Sequence, residues 1–355
     1  MQRELHFERM KETSNIVIPF IKGAYSDIKR ENGDLFEALN FFIKRRTKKG
    51  QCLLRPYLVR LGYELTGRNN WIDIAPACAA IELFNISTYQ SNIAFDGKKG
   101  IYSSYQKSNQ FISSMISLEL AIKTLHKLKT NFPDKTTSTI IERLLETNND
   151  IYIGQFYDLN ELTVKSLNLS MSEREYLSLY LKRCKKLGGS LTSLCLEIGF
   201  FLGEGDILLI DPLKRIGMIL GTAGQIVNDI SDFLPLENEE YEEYKIKGYE
   251  SQFSDFRKGK ITYPLFHLLN VVSKERREII IAALMRKQID VTMMEEIRRC
   301  LNRYGSITSA KRIVLSYYKE IKKEIKIFPK TRSRDFLSVA FSSLITNKYF
   351  AMLNR

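Results

Sequence analysis

The chain has 355 residues, 44% hydrophobic and 27% charged, an ordinary soluble composition with room for a sizeable core. It contains no run of about eighteen uncharged apolar residues, which excludes a membrane-spanning helix. The polar start Met1-Gln2-Arg3-Glu4 does not read as a secretory signal, so the cytoplasm is the expected location. Five scattered cysteines (Cys52, Cys78, Cys184, Cys195, Cys300) without a C-x-x-C pair, and only three histidines, exclude a disulfide framework and a zinc site.

In chain order, apolar residues recur at i, i+3, i+4 and i+7, and with only eight prolines almost everything reads as helix. The spacing predicts helices over about 4–30, 33–46, 51–67, 72–95, 105–130, 135–147, 149–164, 173–187, 189–203, 211–234, 263–270, 274–287, 291–303, 307–326 and 333–352. No strand-period run competes, and no long Pro/Gly/Ser linker divides the chain, so a single all-α domain is expected. From Val271 to Arg355 there are 19 Lys+Arg against 8 Asp+Glu, or +11 of the overall +13. These charges alternate with apolar residues at helical spacing. They suit a solvated helical face or a peripheral contact with an anionic membrane better than a nucleic-acid tract.

The stretch Gly221 to Phe233 is the most informative. Gln225, Asn228, Asp229 and Asp232 lie at offsets of three, four and seven, so four oxygen-bearing side chains share one face of a helix. No basic residue occurs between Arg215 and Lys245 to neutralise the two aspartates. Oxygen-only ligands of this kind suit a hard divalent ion, and Mg²⁺ in particular is held by one or two carboxylates together with substrate phosphates. Downstream, Arg257, Lys258 and Lys260 form a basic loop ahead of a helix starting near Pro264. Acidic helix and basic loop together point to a Mg²⁺-diphosphate site. Earlier in the chain, Gln155 and Asp158 share a helical face.

The acidic helix and the Lys260-Ile261-Thr262-Tyr263-Pro264 element resemble the second aspartate-rich motif and the Lys-x-Thr-x-Pro element of trans-polyprenyl diphosphate synthases, of the isoprenoid synthase superfamily. Gly154-Gln155-Phe156-Tyr157-Asp158-Leu159 is similar to that family's Gly-Gln-x-x-Asp-Leu element. Leu187-Gly188-Gly189-Ser190-Leu191 falls where the family has Lys-Thr-Gly-x-Leu, with the motif lysine on Leu187 and Lys186 one position away. Gly50 to Pro56 resembles the loop that holds the diphosphate of isopentenyl diphosphate, but Cys52 and Leu53 replace two cations and only Arg55 remains. Ser91 to Asp96 occupies the first aspartate-rich motif with Asn92 and Asp96 as its oxygen ligands, followed by Lys98 and Lys99.

The resemblance covers about residues 30–270, followed by the basic helical part 271–355. It implies a single-domain, all-α, isoprenoid-synthase-type bundle around a central cavity. It also implies Mg²⁺ held by Asp229, Asp232, Asn228, Asp158, Asn92 and Asp96. Catalytic roles would fall to Asp229, Asp232, Lys260 and Gln155. Arg55, Lys98, Lys99, Gln225 and Lys260 would contact substrate, with the prenyl tail passing Ser87 and Thr88. The partners implied are a prenyl diphosphate and a second subunit, in a homodimer or a heterodimer with a related synthase. Loss of the isopentenyl-binding cations favours an enzyme that acts on an allylic prenyl diphosphate with a different acceptor, or cyclises it. The alternatives are ordinary chain elongation with isopentenyl diphosphate and a non-catalytic regulatory subunit.

Overall fold

The computed structural model describes residues 2–31, 33, 36, 52–96, 107–234 and 252–345. The main helices are α1 (Gln2–Glu31), α2 (Leu54–Glu64), α3 (Ala75–Asp96), α4 (Lys107–Leu125), α5 (Asp134–Phe156), α6 (Glu173–Cys184), α7 (Ser190–Leu202) and α8 (Ile207–Ser231). They continue with α9 (Tyr263–Val271), α10 (Lys274–Arg286), α11 (Val291–Arg303), α12 (Ser306–Glu324) and α13 (Arg332–Ile345). No strand occurs among the described residues. The one β-type pairing among them is an isolated antiparallel bridge between Thr163 and Lys260.

The starts follow from capping. Ser172 and Glu175 form a reciprocal capping box that begins α6. Asp206, Ser273 and Asp290 each accept a backbone N–H at the first turn of α8, α10 and α11. One expected boundary is absent. The expected helices 135–147 and 149–164 leave a boundary at Asn148, yet α5 passes through it unbroken, because buried Leu144, Thr147 and Ile151 keep a continuous inward stripe across it. The expected helix 33–46 lies outside the described residues.

Helix α7 is the spine. Of its thirteen residues all but Phe201 are buried, and its neighbours are α2 on one side and α8 on the other. Backbones touch at the α2–α7 crossing, where a Cβ on Gly199 would lie 1.8 Å from the Val59 carbonyl oxygen and one on Gly62 2.3 Å from that of Leu196. The N- and C-terminal helices close one side of the bundle through buried Glu64. It accepts from Arg9 of α1 at 2.5 Å, from Arg60 of α2 at 2.8 Å and from Ser333 of α13 at 2.9 Å. No described helix is long and apolar enough to cross a membrane.

Candidate functional site

Two helices end in a widened turn of π geometry where the site forms. After α5 the chain runs through Tyr157–Glu161, and after α6 through Lys185–Gly189. Such turns recur at functional sites because the extra residue turns side chains away from the regular helical register. Asp158 sits in the first turn, and Arg183 stands two residues before the second.

Helix α8 carries Asp229 to meet them. Its approach to the second π turn is set by glycine, since a Cβ on Gly221 would lie 2.1 Å from the Gly188 carbonyl oxygen and one on Gly188 2.6 Å from that of Gly221. The two backbones therefore lie in direct contact. Lys260 arrives by a different route. The Ile261 N–H donates to Leu162 at 2.8 Å and the Val164 N–H to Gly259 at 2.8 Å, pinning the basic loop beside the first π turn. Tyr176 of α6 holds the same loop by donating to the Ile261 carbonyl at 2.6 Å.

These elements bring four charged groups into one buried cluster. The Arg183 Nε and Nη2 donate to Asp158 Oδ1 at 2.7 and 2.6 Å, and its Nη1 donates to Asp229 Oδ2 at 2.7 Å. Asp229 Oδ2 also accepts from the Tyr180 hydroxyl at 2.8 Å, and Oδ1 accepts from Gln225 at 3.0 Å. Lys260 Nζ pairs with Asp158 Oδ2. Side-chain exposure is 5% for Arg183, 6% for Asp158, 1% for Asp229 and 8% for Lys260. Burial pushes the Asp229 carboxyl up to about 6, with the Arg183 cation opposing the shift. For Arg183 burial acts to lower the pKa, but the two carboxylates outweigh it and hold the guanidinium firmly charged.

Asp232 stands apart from this cluster. Its two oxygens accept the Ser254 and Asp255 N–H groups at 2.8 and 3.1 Å, so it ties the end of α8 to the short turn Ser254–Arg257. Burial, and then the neighbouring Asp255, push its carboxyl up to about 8. Asn228 is exposed and Gln155 is buried on the last turn of α5. On α3, Asn92 is half-buried, Thr88 donates to the Asn85 carbonyl at 2.9 Å, and Ser87 meets Ser114 of α4 at 3.3 Å in a buried seam of hydroxyls. Ser87 therefore faces a neighbouring helix at close quarters. Arg55 is half-buried at the start of α2, where its charge reaches the buried Cys195 thiol of α7. Leu53 is fully buried core, its N–H donating to Ser14 at 2.8 Å. Lys98, Lys99 and the Asp96 side chain lie outside the described residues.

A cavity of about 270 Å³ adjoins the cluster. Arg257, Lys258, Lys260 and Lys287 line it, against the single carboxylate of Asp158, with Phe95, Leu159 and Thr163 completing the wall. Such a lining favours a compact polyanion.

Two features of the site escape the sequence reading. The aspartates of α8 are read there as lacking a counter-ion, because the count extends only along the local sequence. The counter-ion is Arg183, from another helix. Its signal is present in α6, where Tyr176, Tyr180, Arg183 and Cys184 form the buried stripe, so a cation interrupts an otherwise inward-facing row. Lys287 is the second, reached through a left-handed turn (φ 56°) after α10.

Of the six residues implied for Mg²⁺, Asp158, Asp229 and Asp232 do not fit a bridging ion as they stand, whereas Asn92 and Asn228 take no part in these contacts and the Asp96 side chain lies outside the described residues. Each oxygen of Asp158, Asp229 and Asp232 accepts at least one protein donor, and a guanidinium fills the space between Asp158 and Asp229. Among the described residues no group of three or more His, Cys, Asp or Glu side chains is arranged to hold a metal.

A geranylgeranyl diphosphate synthase of Methanosarcina mazei is 22% identical over 322 residues, covering 89% of this chain and 90% of that protein. Among solved structures, a geranylgeranyl pyrophosphate synthetase from Pyrococcus horikoshii superposes with a TM-score of 0.79 at 19% identity, over 98% of this chain and 100% of that one. A polyprenyl synthase from Caulobacter crescentus, solved with calcium and isoprenyl diphosphate, gives 0.78 at 18% identity, over 96% and 98%. Both share the all-α isoprenoid synthase fold with this chain. The family model described as Polyprenyl synthetase matches residues 97–301, more than half of the sequence, so this chain belongs to the polyprenyl synthetase family and is by class a prenyltransferase.

Proposed function

We propose that this protein elongates an allylic prenyl diphosphate by adding isopentenyl diphosphate. The observation that carries the reading is the cation-lined cavity beside the buried Asp158–Lys260 pair, a lining matched to a diphosphate leaving group. Its agreement with the activity named for the Methanosarcina relative, along most of both chains, supports elongation over a different acceptor or cyclisation.

In this reading the allylic C1–O bond breaks and its electrons leave with the diphosphate. The acceptor alkene then attacks the carbocation, and a proton is lost to restore a double bond. Charge grows on the departing oxygens. Cations fixed around the cavity stabilise that growth without having to reorganise when it occurs. The Thr163–Lys260 bridge and the Tyr176 hydrogen bond hold the Lys260 loop in place for this purpose.

The test is incubation of the purified protein with geranyl, farnesyl and geranylgeranyl diphosphates in Mg²⁺ buffer, each with and without isopentenyl diphosphate, followed by product extraction. Longer prenyl diphosphates that appear only with isopentenyl diphosphate are the expected result. Hydrocarbon or alcohol products formed without it would replace elongation by cyclisation. No product under any condition would favour the regulatory-subunit role.

A further inference from the structure

Among the described residues, the hydrogen-bonded cluster around Asp158 and Asp229 is charge-balanced by the protein alone. Two carboxylates face one guanidinium and one ammonium, all less than a tenth exposed. Arg183 commits Nε and both terminal nitrogens to the pair and lies between them, where a bridging ion would have to sit. A guanidinium does not deprotonate in a protein, so this cation cannot be switched off. Lys186, the cation nearest the missing motif lysine at Leu187, points elsewhere and pairs with Asp150 of α5.

We propose that Arg183 takes the place of a divalent ion between Asp158 and Asp229, so that a diphosphate in the adjoining cavity is held by the protein's own cations and binds without metal. This rests on reading that cavity as the diphosphate site. The division of labour is geometric. Arg183 neutralises Asp158 and Asp229 from inside, and Lys260, an ammonium with three donors, reaches both Asp158 and the cavity. Arg257, Lys258 and Lys287 complete the positive wall. A divalent ion bridging the two carboxylates would have to displace the buried guanidinium from the space between them.

The test is calorimetry of inorganic pyrophosphate with the full-length protein, in excess EDTA and in Mg²⁺. The reading is the ratio of the two affinities. For the wild type the expected ratio is within about threefold of unity. Arg183→Met removes the internal cation while keeping the bulk. Its pyrophosphate affinity in EDTA should fall by at least about tenfold, and Mg²⁺ should restore it, because the freed carboxylates become available to the ion. Arg183→Lys keeps the charge but not the fork that spans both carboxylates, so its affinity in EDTA should fall between those of the wild type and Arg183→Met. A wild-type ratio of about tenfold or more in favour of Mg²⁺, or no binding in either buffer, overturns the proposal; so does a folded Arg183→Met protein with the wild-type ratio. The wild-type measurement decides even if Arg183→Met does not fold. Metal-free binding without elongation products would leave this inference standing and remove the proposed function. Elongation with strictly Mg²⁺-dependent pyrophosphate binding would do the reverse.

Discussion

Gly221→Ala tests how the site is assembled. The added methyl would lie 2.1 Å from the Gly188 carbonyl oxygen and 2.5 Å from Thr192 Oγ1, both far inside van der Waals contact. Relief requires α8 to retreat from the second π turn by about 1 Å. Overpacking of this kind costs about 1–3 kcal/mol, against which alanine's helix preference returns up to about 1 kcal/mol. A net loss of about 1–2 kcal/mol is expected. Asp229 lies eight residues further along the same helix and moves with it, so its 2.7 Å bond to Arg183 opens beyond hydrogen-bonding range. A displacement of this size costs on the order of a hundredfold in turnover. Gly224 is the control in the same helix, since nothing lies within 4 Å of the point where an added methyl would sit. Gly224→Ala should stabilise by about 0.5–1 kcal/mol and leave turnover unchanged. Urea unfolding and elongation rates of the two variants provide the comparison. The reasoning is refuted if both substitutions shift stability in the same direction, or if Gly221→Ala turns over at the wild-type rate.

Glu64→Ala removes one carboxylate from the buried Arg60 and cuts the tie between α1, α2 and α13, so urea unfolding should show a loss of about 3 kcal/mol; a loss under about 1 kcal/mol would mean that Glu12, Thr13 and the Arg9 carbonyl suffice for Arg60. Burial lowers the His6 pKa to about 4, below the unfolded value near 6.5, so unfolding takes up a proton between those values; the stability from this group is complete above pH 6.5 and is lost as pH falls toward 4. The loss should reach about 2 kcal/mol after allowance for solvent screening, and His6→Gln should flatten that part of the stability curve. The family resemblance sets Cys52 and Leu53 where two cations are expected, each worth about 1.5–3 kcal/mol as a charge-assisted contact, so isopentenyl diphosphate should bind about two to four orders of magnitude more weakly than at a site that keeps both, and less tightly than the allylic substrate; calorimetry with each ligand measures this.

The helical fold is legible because periodicity along a helix is a local property. The apolar spacing places α9, α10 and α11 within a residue or so of their ends. It fails at the expected boundary at Asn148, a residue with a taste for turns that is carried by the packing on either side. From spacing alone the site is legible only where its partners share one helix, as Gln225 and Asp229 do at offset four, while the grouping of Asp158, Asp229 and Lys260 comes from the family resemblance. Arg183 and Asp229 lie 46 residues apart in sequence, and no spacing rule joins them. The π turns are equally hidden, although they set where Asp158 and Arg183 stand. Asp232 looks equivalent to Asp229 on a helical wheel, but it lies at the end of α8, where nearby backbone N–H groups claim its oxygens.

A row of aspartates reports how much negative charge a helix carries, whereas the demand for a metal depends on the charge of every group within reach. Within the hydrogen-bonded cluster that sum is zero before any ligand enters, since Asp158 and Asp229 are matched by Arg183 and Lys260. A divalent ion added to a balanced cluster would leave two uncompensated charges in a place almost closed to water, and burial of unpaired charge is among the most destabilising changes a protein can undergo. An incoming diphosphate could supply the missing negative charge. The cavity wall, however, already presents Arg257, Lys258 and Lys287 to that same group, so protein cations and a metal would compete for its oxygens. A count of carboxylates along one helix is therefore not a measure of metal demand, because Arg183 from the buried stripe of α6 already neutralises part of that charge.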